Sequence, residues 1–295
     1  MFKGSLVALI TPFTAAGKLD EKGFQSFVAW QIENGTHGFI PCGTTGESPT
    51  LSHDEHKRVV ELCIEVAKGK SPVIAGTGSN STAEAIEFTK HAKEAGADAA
   101  LVVTPYYNKP TQEGMRRHFS AVADAVTHPV VLYNVPGRTG VDLKPDTVIK
   151  LASHPNIKGI KEATGELNRV HVLRDGCGPE FSLLSGDDAT ACEFMLQGGD
   201  GVISVTGNVA AAGMRRLCDA ARGRKRAEAE RIDATLQPLH RNLFCESNPI
   251  PVKWAVEQMG LIGPGIRLPL TPLAPQFHAL VLDSMAAAGV RVAAA

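Results

Sequence analysis

The sequence predicts an α/β fold, a single (β/α)8 TIM barrel with a C-terminal helical extension. Eight short apolar runs recur at intervals of roughly 20 to 36 residues, and amphipathic stretches lie between them. The runs cover residues 6–10, 38–41, 73–76, 99–103, 130–133, 157–161, 181–185 and 201–205. Alternating strand and helix patterns are typical of a parallel sheet, and eight such units favour a closed barrel.

The first run, 6–10, follows a single basic residue and is too short for a signal-peptide core or a membrane span, so it is predicted to be strand one. Helical periodicity then predicts helices over 55–67, 82–95 and 114–126. An open doubly wound sheet is the alternative, but it normally carries a glycine-rich phosphate loop. Neither the turn at 43–46 nor the segment 76–78 completes Gly-x-Gly-x-x-Gly, so no nucleotide is expected.

The chain is predicted to divide into a barrel over 1–224 and a C-terminal helical segment over 225–295. A charged run at 222–226 precedes helical patterns at 227–239, 251–260 and 275–288. A length of 295 residues suits one barrel of about 250 residues with an added tail. Lys253 does not follow a barrel strand, and we interpret it as a structural or a helix-start residue.

The composition indicates a protein whose partners are small molecules. Charged residues make up 21% of the chain and the formal net charge is -1, which disfavours binding to nucleic acid or an anionic membrane. Six cysteines are scattered without a Cys-x-x-Cys pair or zinc-like spacing, so reduced thiols, a cytoplasmic location and no metal are expected.

Lys161 is the strongest catalytic candidate because it ends the sixth predicted strand. The carboxyl ends of barrel strands form the active-site mouth, and an amine that loses hydration there can attack the carbonyl of a keto acid. A solvated lysine at a strand end is the commoner alternative. Tyr133 ends the preceding strand, where its phenol can pass protons, although a core tyrosine would give the same pattern.

Other candidates lie at the same mouth. The turn Gly43-Thr44-Thr45-Gly46 offers backbone N–H groups and hydroxyls to a carboxylate, and Arg138 offers a guanidinium to a second one. Both features also have a simpler explanation: the first is an ordinary turn, and Arg138 is a solvated arginine in a loop. The remaining candidates at strand ends or just beyond them are Tyr107, Gly186 and Ile203.

Five motifs give the chain a resemblance to a known family over essentially its whole length. They are Gly-Thr-Thr-Gly-Glu at 43–47, Thr-Pro-Tyr-Tyr-Asn-Lys-Pro at 104–110, Tyr-Asn-Val-Pro-Gly-Arg-Thr-Gly at 133–140, Lys-Glu-Ala-Thr-Gly at 161–165 and Glu-Ser-Asn-Pro-Ile-Pro-Val-Lys at 246–253. With these motifs the chain resembles the dihydrodipicolinate synthases, which belong to the pyruvate-dependent class I aldolases together with the N-acetylneuraminate lyases.

The resemblance implies roles for the candidates. Lys161 would form an imine with pyruvate, and Tyr133, Thr44 and Tyr107 would relay protons, with Tyr107 donated across a tight dimer interface. Thr45 would hold the pyruvate carboxylate. The enamine would attack L-aspartate 4-semialdehyde, giving a cyclic product in diaminopimelate and lysine biosynthesis without a cofactor.

Arg138 favours the synthase among related enzymes, because a dicarboxylic product needs a second cation. In the sugar-acid lyases the corresponding loop lacks this arginine and the turn usually reads Gly-Ser-Thr-Gly-Glu, so an N-acetylneuraminate or sugar-acid lyase is the enzymatic alternative. A catalytically silent barrel that senses keto or amino acids is a third hypothesis. It is disfavoured because both Lys161 and Tyr133 are present.

A second set of residues matches the positions that bind L-lysine in feedback-inhibited members. The set comprises Ser48, His53, His56, Asn80, Glu84 and Tyr106. Glu84 can pair with an ammonium group, while Ser52 and Glu55 also predict a capping box that would explain the histidines as part of a helix start. The resemblance further implies a homo-oligomer, with a tetramer of two tight dimers expected.

Overall fold

The structure is a computed structural model that describes residues 2–293. Its eight strands are β1 Gly4–Ala8, β2 Gly38–Ile40, β3 Ile74–Gly76, β4 Ala99–Val103, β5 Val130–Asn134, β6 Ile157–Glu162, β7 Ser182–Ser185 and β8 Gly201–Ser204. They pair in parallel in the order β2-β1-β8-β7-β6-β5-β4-β3. A parallel bridge between Phe39 and Val73 joins the two ends of this sheet, so the barrel predicted from the sequence is confirmed.

Within the described residues, twelve α-helices surround and extend the barrel. They are α1 Glu21–Glu33, α2 His53–Ala67, α3 Thr82–Ala95, α4 Gln112–Asp124, α5 Pro136–Thr139, α6 Pro145–Ala152, α7 Asn168–Cys177, α8 Ala191–Leu196, α9 Ala211–Arg222, α10 Arg226–Asn242, α11 Ile250–Gln258 and α12 His278–Ala287. Helices cover the outer face of the sheet, which explains why the strands are continuous apolar runs rather than alternating ones.

The interior of the barrel is filled by side chains from alternate strand positions. Leu6, Ile40, Leu101 and Ile203 belong to one buried cluster, which also includes Tyr133 near the top of β5. This packed plug closes the lower part of the barrel, so the space for chemistry lies above it, at the carboxyl ends of the strands.

Local signals explain where α2 begins. Ser52 accepts a hydrogen bond from the Glu55 N–H at 3.2 Å, and Glu55 accepts one from the Ser52 N–H at 3.0 Å. This reciprocal capping box starts the helix at His53, two residues before the predicted start. The capping-box interpretation is therefore confirmed.

The C-terminal helices pack on the barrel and on one another. Helix α10 contacts α8 and α9, and α12 lies against α10 and α11. The proposed division after residue 224 falls between α9 and α10 and stays a prediction. None of the helices within residues 2–293 combines the length and apolar character needed to cross a membrane.

Candidate active site

Lys161 and Tyr133 lie side by side at the top of neighbouring strands. They are register partners in the β5–β6 ladder, and the Lys161 Nζ is 4.2 Å from the centroid of the Tyr133 ring. Both side chains are buried, with 5% and 7% of their surface exposed. An amine and a phenol are thus held together within reach of the barrel mouth, which is the arrangement that imine formation needs.

Asn134 and Glu162, which directly follow Tyr133 and Lys161, hold β5 and β6 together from the outer face of the sheet. Asn134 is fully buried, and its Nδ2 donates to both oxygens of Glu162, at 3.3 and 3.2 Å. Burial raises the pKa of Glu162, and the hydrogen bond from Asn134 opposes this shift. Because side chains alternate along a strand, this contact on the outer face holds β5 and β6 together while Tyr133 and Lys161 face inward.

A buried arginine completes the support behind β5 and β6. Arg169 on α7 donates to both oxygens of Asp142, at 2.9 and 2.8 Å, and lies 3.5 Å from Glu162. Its hydrogen bonds hold the pKa of Asp142 well below the ordinary range. Asn134 and Glu162 were missed as supporting residues from the sequence, although their positions directly after the two candidates would have placed them opposite each other.

The turn after β2 has an unusual backbone. Cys42, just before the turn at residues 43–47, and Glu47, at its end, have φ values of 57° and 53°, in the left-handed region that residues other than glycine seldom adopt. The turn closes on itself because the Gly46 N–H donates to the Gly43 carbonyl at 3.0 Å and the Glu47 N–H to the Thr44 carbonyl at 3.1 Å. The predicted tight turn is present at the mouth.

Arg138 lies on the short helix α5 directly after β5. Its side chain is exposed, and its Nη2 donates to the Asn248 carbonyl at 3.2 Å. The Nδ2 of Asn248 in turn donates to the Thr45 hydroxyl at 3.0 Å. Asn248 therefore connects the two residues predicted to bind carboxylates, a link that spacing along the chain did not reveal.

A cavity of about 380 Å³ opens over this site. Thr44, Tyr133 and Arg138 line it, and so do Ser48, His53, His56, Glu84 and Tyr106 from the set predicted to bind L-lysine. Residues of both predicted sites therefore line one cavity, although Lys161, Thr45 and Asn80 are not part of its lining.

Other predicted residues lie beside this cavity or away from it. Gly186 packs against Lys161, Ile203 lies in the barrel core, and Thr45 is a buried residue of the turn. Tyr107 extends into solvent, with 89% of its surface exposed. Asn80 lies near the loop after β4, where its carbonyl accepts from the Asn108 side chain at 2.9 Å.

The histidines of the second set are already engaged. The Nε2 of His53 lies 2.8 Å from a Glu84 oxygen, and Ser79 donates to the other Glu84 oxygen. His56 stacks on Phe88 with ring centroids 4.1 Å apart, and burial lowers its pKa to about 4. No group of three or more metal-ligating side chains is assembled anywhere in the described part of the chain.

Lys253 is more closely connected with the site than the sequence suggested. It lies on α11 with only 4% of its surface exposed, and its Nζ forms an ion pair with Glu47 at the end of the turn. Burial lowers the pKa of Lys253, and the Glu47 carboxylate opposes the shift. The interpretation as a helix-start residue missed this long-range contact.

A buried amine and a phenol at the mouth of a closed parallel barrel, beside the turn after β2, form the kind of site found in barrel enzymes that act on small molecules, and the pair is chemically suited to an aldolase that uses an imine. The chain matches the dihydrodipicolinate synthetase family over residues 1–287. It is 58% identical to the 4-hydroxy-tetrahydrodipicolinate synthase of Thioalkalivibrio sulfidiphilus, across 98% of this chain and 99% of that one.

Solved structures give the same result. The chloride-inhibited dihydrodipicolinate synthase of Acinetobacter baumannii in complex with pyruvate superposes with a TM-score of 0.97 at 52% identity, covering 99% of this chain and 100% of that one. The lysine-bound enzyme of Cyanidioschyzon merolae superposes with a TM-score of 0.94 at 41% identity, covering 98% of both chains. The chain belongs to the dihydrodipicolinate synthetase family, so the predicted family, fold class and enzymatic nature are confirmed.

Proposed function

We propose that the protein condenses pyruvate with L-aspartate 4-semialdehyde to form 4-hydroxy-tetrahydrodipicolinate, in the route to diaminopimelate and lysine. The observation that carries the proposal is the buried Lys161 amine over the Tyr133 ring at the barrel mouth. Identity of 58% to a synthase of this activity, over nearly the full length of both chains, supports it.

The chemistry follows from the nucleophile. The Lys161 amine attacks the pyruvate ketone, the resulting carbinolamine loses water, and a protonated imine forms. This imine draws electrons from C3, so loss of a C3 proton gives an enamine that attacks the aldehyde carbon. The amino group of the second substrate then adds to the imine carbon and displaces Lys161, which closes the ring and regenerates the free amine.

Proton transfer is assigned to Tyr133 and Thr44, which line the same cavity. The Lys161 amine lies over the ring of Tyr133, and on this basis we assign the phenol to deliver and remove the protons of imine formation. Replacing Tyr133 with Phe keeps the packing of the ring but removes the hydroxyl. We expect this variant to trap pyruvate far more slowly while keeping the wild-type melting temperature within a few degrees.

The two carboxylates of the product are assigned to separate groups. The N–H groups and hydroxyls of Thr44 and Thr45 receive the pyruvate carboxylate, and the exposed guanidinium of Arg138 receives that of the aldehyde substrate. Replacing Arg138 with Met is expected to raise the KM for the aldehyde while leaving pyruvate trapping intact, which separates the two roles.

Tyr107 is proposed to act in a partner subunit of a tight dimer. Its 89% exposure and its left-handed backbone, with φ of 72°, suit a side chain that is presented outward. A tetramer of two such dimers is the assembly we propose. Mass and activity measured together across a dilution series test this, because a fully active monomer would remove Tyr107 from the relay.

L-Lysine is proposed as a feedback inhibitor that enters the outer part of the same cavity. The Glu84 carboxylate would pair with one ammonium group, with Ser48, His53, His56, Asn80 and Tyr106 around the ligand. The lysine-bound relative from Cyanidioschyzon merolae supports this proposal. Unchanged activity and melting temperature at millimolar L-lysine would contradict it, and Glu84→Gln provides the variant that should lose the response.

The deciding experiment is reduction with borohydride in the presence of pyruvate, followed by peptide mass spectrometry. We expect the adduct on Lys161, and its loss in Lys161→Ala. Lys158→Ala, on the same strand, is the matched control and should keep the adduct. Folded protein without an adduct would favour the silent sensor. Turnover with N-acetylmannosamine rather than L-aspartate 4-semialdehyde would favour the sugar-acid lyase.

A further inference from the structure

We infer that Lys253, in the C-terminal segment, is a positioning residue for pyruvate binding, and that it acts by tethering the turn at residues 43–47 through Glu47. The inference rests on the proposed function, since it assigns the turn to the pyruvate carboxylate. On this inference, helix α11 helps to position the active site and does not only extend the barrel.

The tether is a buried ion pair. Lys253 and Glu47 expose 5% and 0% of their side chains, and the ammonium also lies 4.4 Å from the centroid of the Phe13 ring. The second Glu47 oxygen accepts the backbone N–H of Arg267 at 3.2 Å. Both oxygens of Glu47 are therefore held by the C-terminal segment, which fixes the direction of its side chain.

The backbone of the turn needs such a tether. Non-glycine residues in the left-handed region are strained and persist only where the surroundings hold them. Glu47 is in that region with φ of 53°, and its carboxylate is gripped from α11 and from Arg267. Release of the carboxylate would allow Glu47 to leave the left-handed region, and the backbone of the turn would then be free to shift.

A second contact from the same segment acts on the same turn. The Asn248 side chain donates to the Thr45 hydroxyl at 3.0 Å, five residues before Lys253 in the chain. The turn is thus held at its middle and at its end by one short stretch, 248–253. If Asn248 and Lys253 only stabilised the fold, there would be no reason for both to contact the turn that is proposed to receive a carboxylate.

A structural ion pair at the opposite end of the barrel provides the matched control. Arg174 on α7 lies 2.6 Å from Asp200, directly before β8, with side chains 23% and 15% exposed. This pair is at the amino ends of the strands, away from the mouth. Breaking it should lower stability without changing how pyruvate binds.

The experiment uses the full-length protein and measures the pyruvate concentration that half-saturates borohydride trapping, together with the KM values for both substrates. For Lys253→Met we expect the pyruvate values to rise at least tenfold, while the KM for L-aspartate 4-semialdehyde stays within twofold. Arg174→Met should lower the melting temperature but leave both KM values within twofold of wild type.

A double variant protects the test against loss of folding. Glu47→Gln combined with Lys253→Met leaves no unpaired buried charge, so it should melt closer to wild type than Lys253→Met does. We expect it to keep the raised pyruvate KM, because the tether is still missing. A folded double variant with wild-type pyruvate KM would overturn the inference. Failure of the wild-type protein to trap pyruvate would instead overturn the proposed function.

Discussion

Gly186 provides a direct test of how closely Lys161 is packed. A Cβ added at this position would lie 2.9 Å from the Lys161 Cε and 2.6 Å from the Ala163 Cβ. Non-bonded carbon atoms prefer separations of about 3.5–4.0 Å. The substitution Gly186→Ala therefore requires the Lys161 side chain to withdraw by roughly 0.6–1 Å.

The size of the effect follows from this displacement. A misplacement of about 1 Å in a reacting group costs on the order of 100-fold in rate, or about 2.7 kcal/mol in the activation barrier. Overpacking itself costs about 1–3 kcal/mol of folding free energy. We expect Gly186→Ala to fold, to melt several degrees lower and to lose about two orders of magnitude in kcat/KM.

The assay is steady-state turnover together with the rate of borohydride trapping at saturating pyruvate. Gly137→Ala is the matched control, because a Cβ at residue 137 meets nothing within 4 Å although the residue adjoins Arg138. The control should keep its trapping rate within twofold. Folded Gly186→Ala with kcat/KM within threefold of wild type would refute the packing argument.

Three further predictions concern stability. Ser52→Ala should remove about 1 kcal/mol through the capping box, seen as a melting temperature ~2–4 °C lower; no change would show that α2 does not need its cap. Asn134→Leu should cost about 2–4 kcal/mol in urea unfolding, because Glu162 loses its amide partner, and an unchanged midpoint would argue against that support. Burial lowers the pKa of His118 to about 4, so the ring stays neutral in the folded state but is protonated in the unfolded chain below about pH 6.5. The neutral ring of His118 therefore lowers the free energy of unfolding by about 2 kcal/mol as the pH falls from 7 to 5. Over this range the free energy of unfolding of His118→Gln should fall less than that of wild type, whereas that of His171→Gln, at an exposed position, should fall as much as wild type.

The strands were predictable because each is a short apolar run whose length and neighbours leave few alternatives. β4 has the predicted bounds, six strands differ by one residue at one end, and β1 begins and ends two residues earlier than predicted. β6 runs one residue further than expected because Glu162 pairs with Asn134 on β5, a contact that periodicity within one strand does not contain. Motifs of residues close together in the sequence, such as the capping box of Ser52 and Glu55, could also be predicted.

Contacts between distant parts of the chain were the main omission. The partners Lys253 and Glu47 are separated by 206 residues, and each has an ordinary local interpretation at a helix start and in a turn. Topology could place Lys161 beside Tyr133 because both end barrel strands. No comparable rule places a residue of the C-terminal segment, so its link to the turn emerged only from the three-dimensional packing.

The contacts of Arg267 bear on the order in which parts of the structure form during synthesis and folding. Its guanidinium donates to the Gly17 carbonyl, 250 residues earlier, and pairs with Glu55 across 212 residues. Synthesis proceeds from the amino end, so α2 and the turn before it leave the ribosome long before this arginine exists. Contacts of such separation form late, after the loops between them have closed. The turn at residues 43–47 is therefore made early in synthesis but is fixed in place late, once Arg267 has been added.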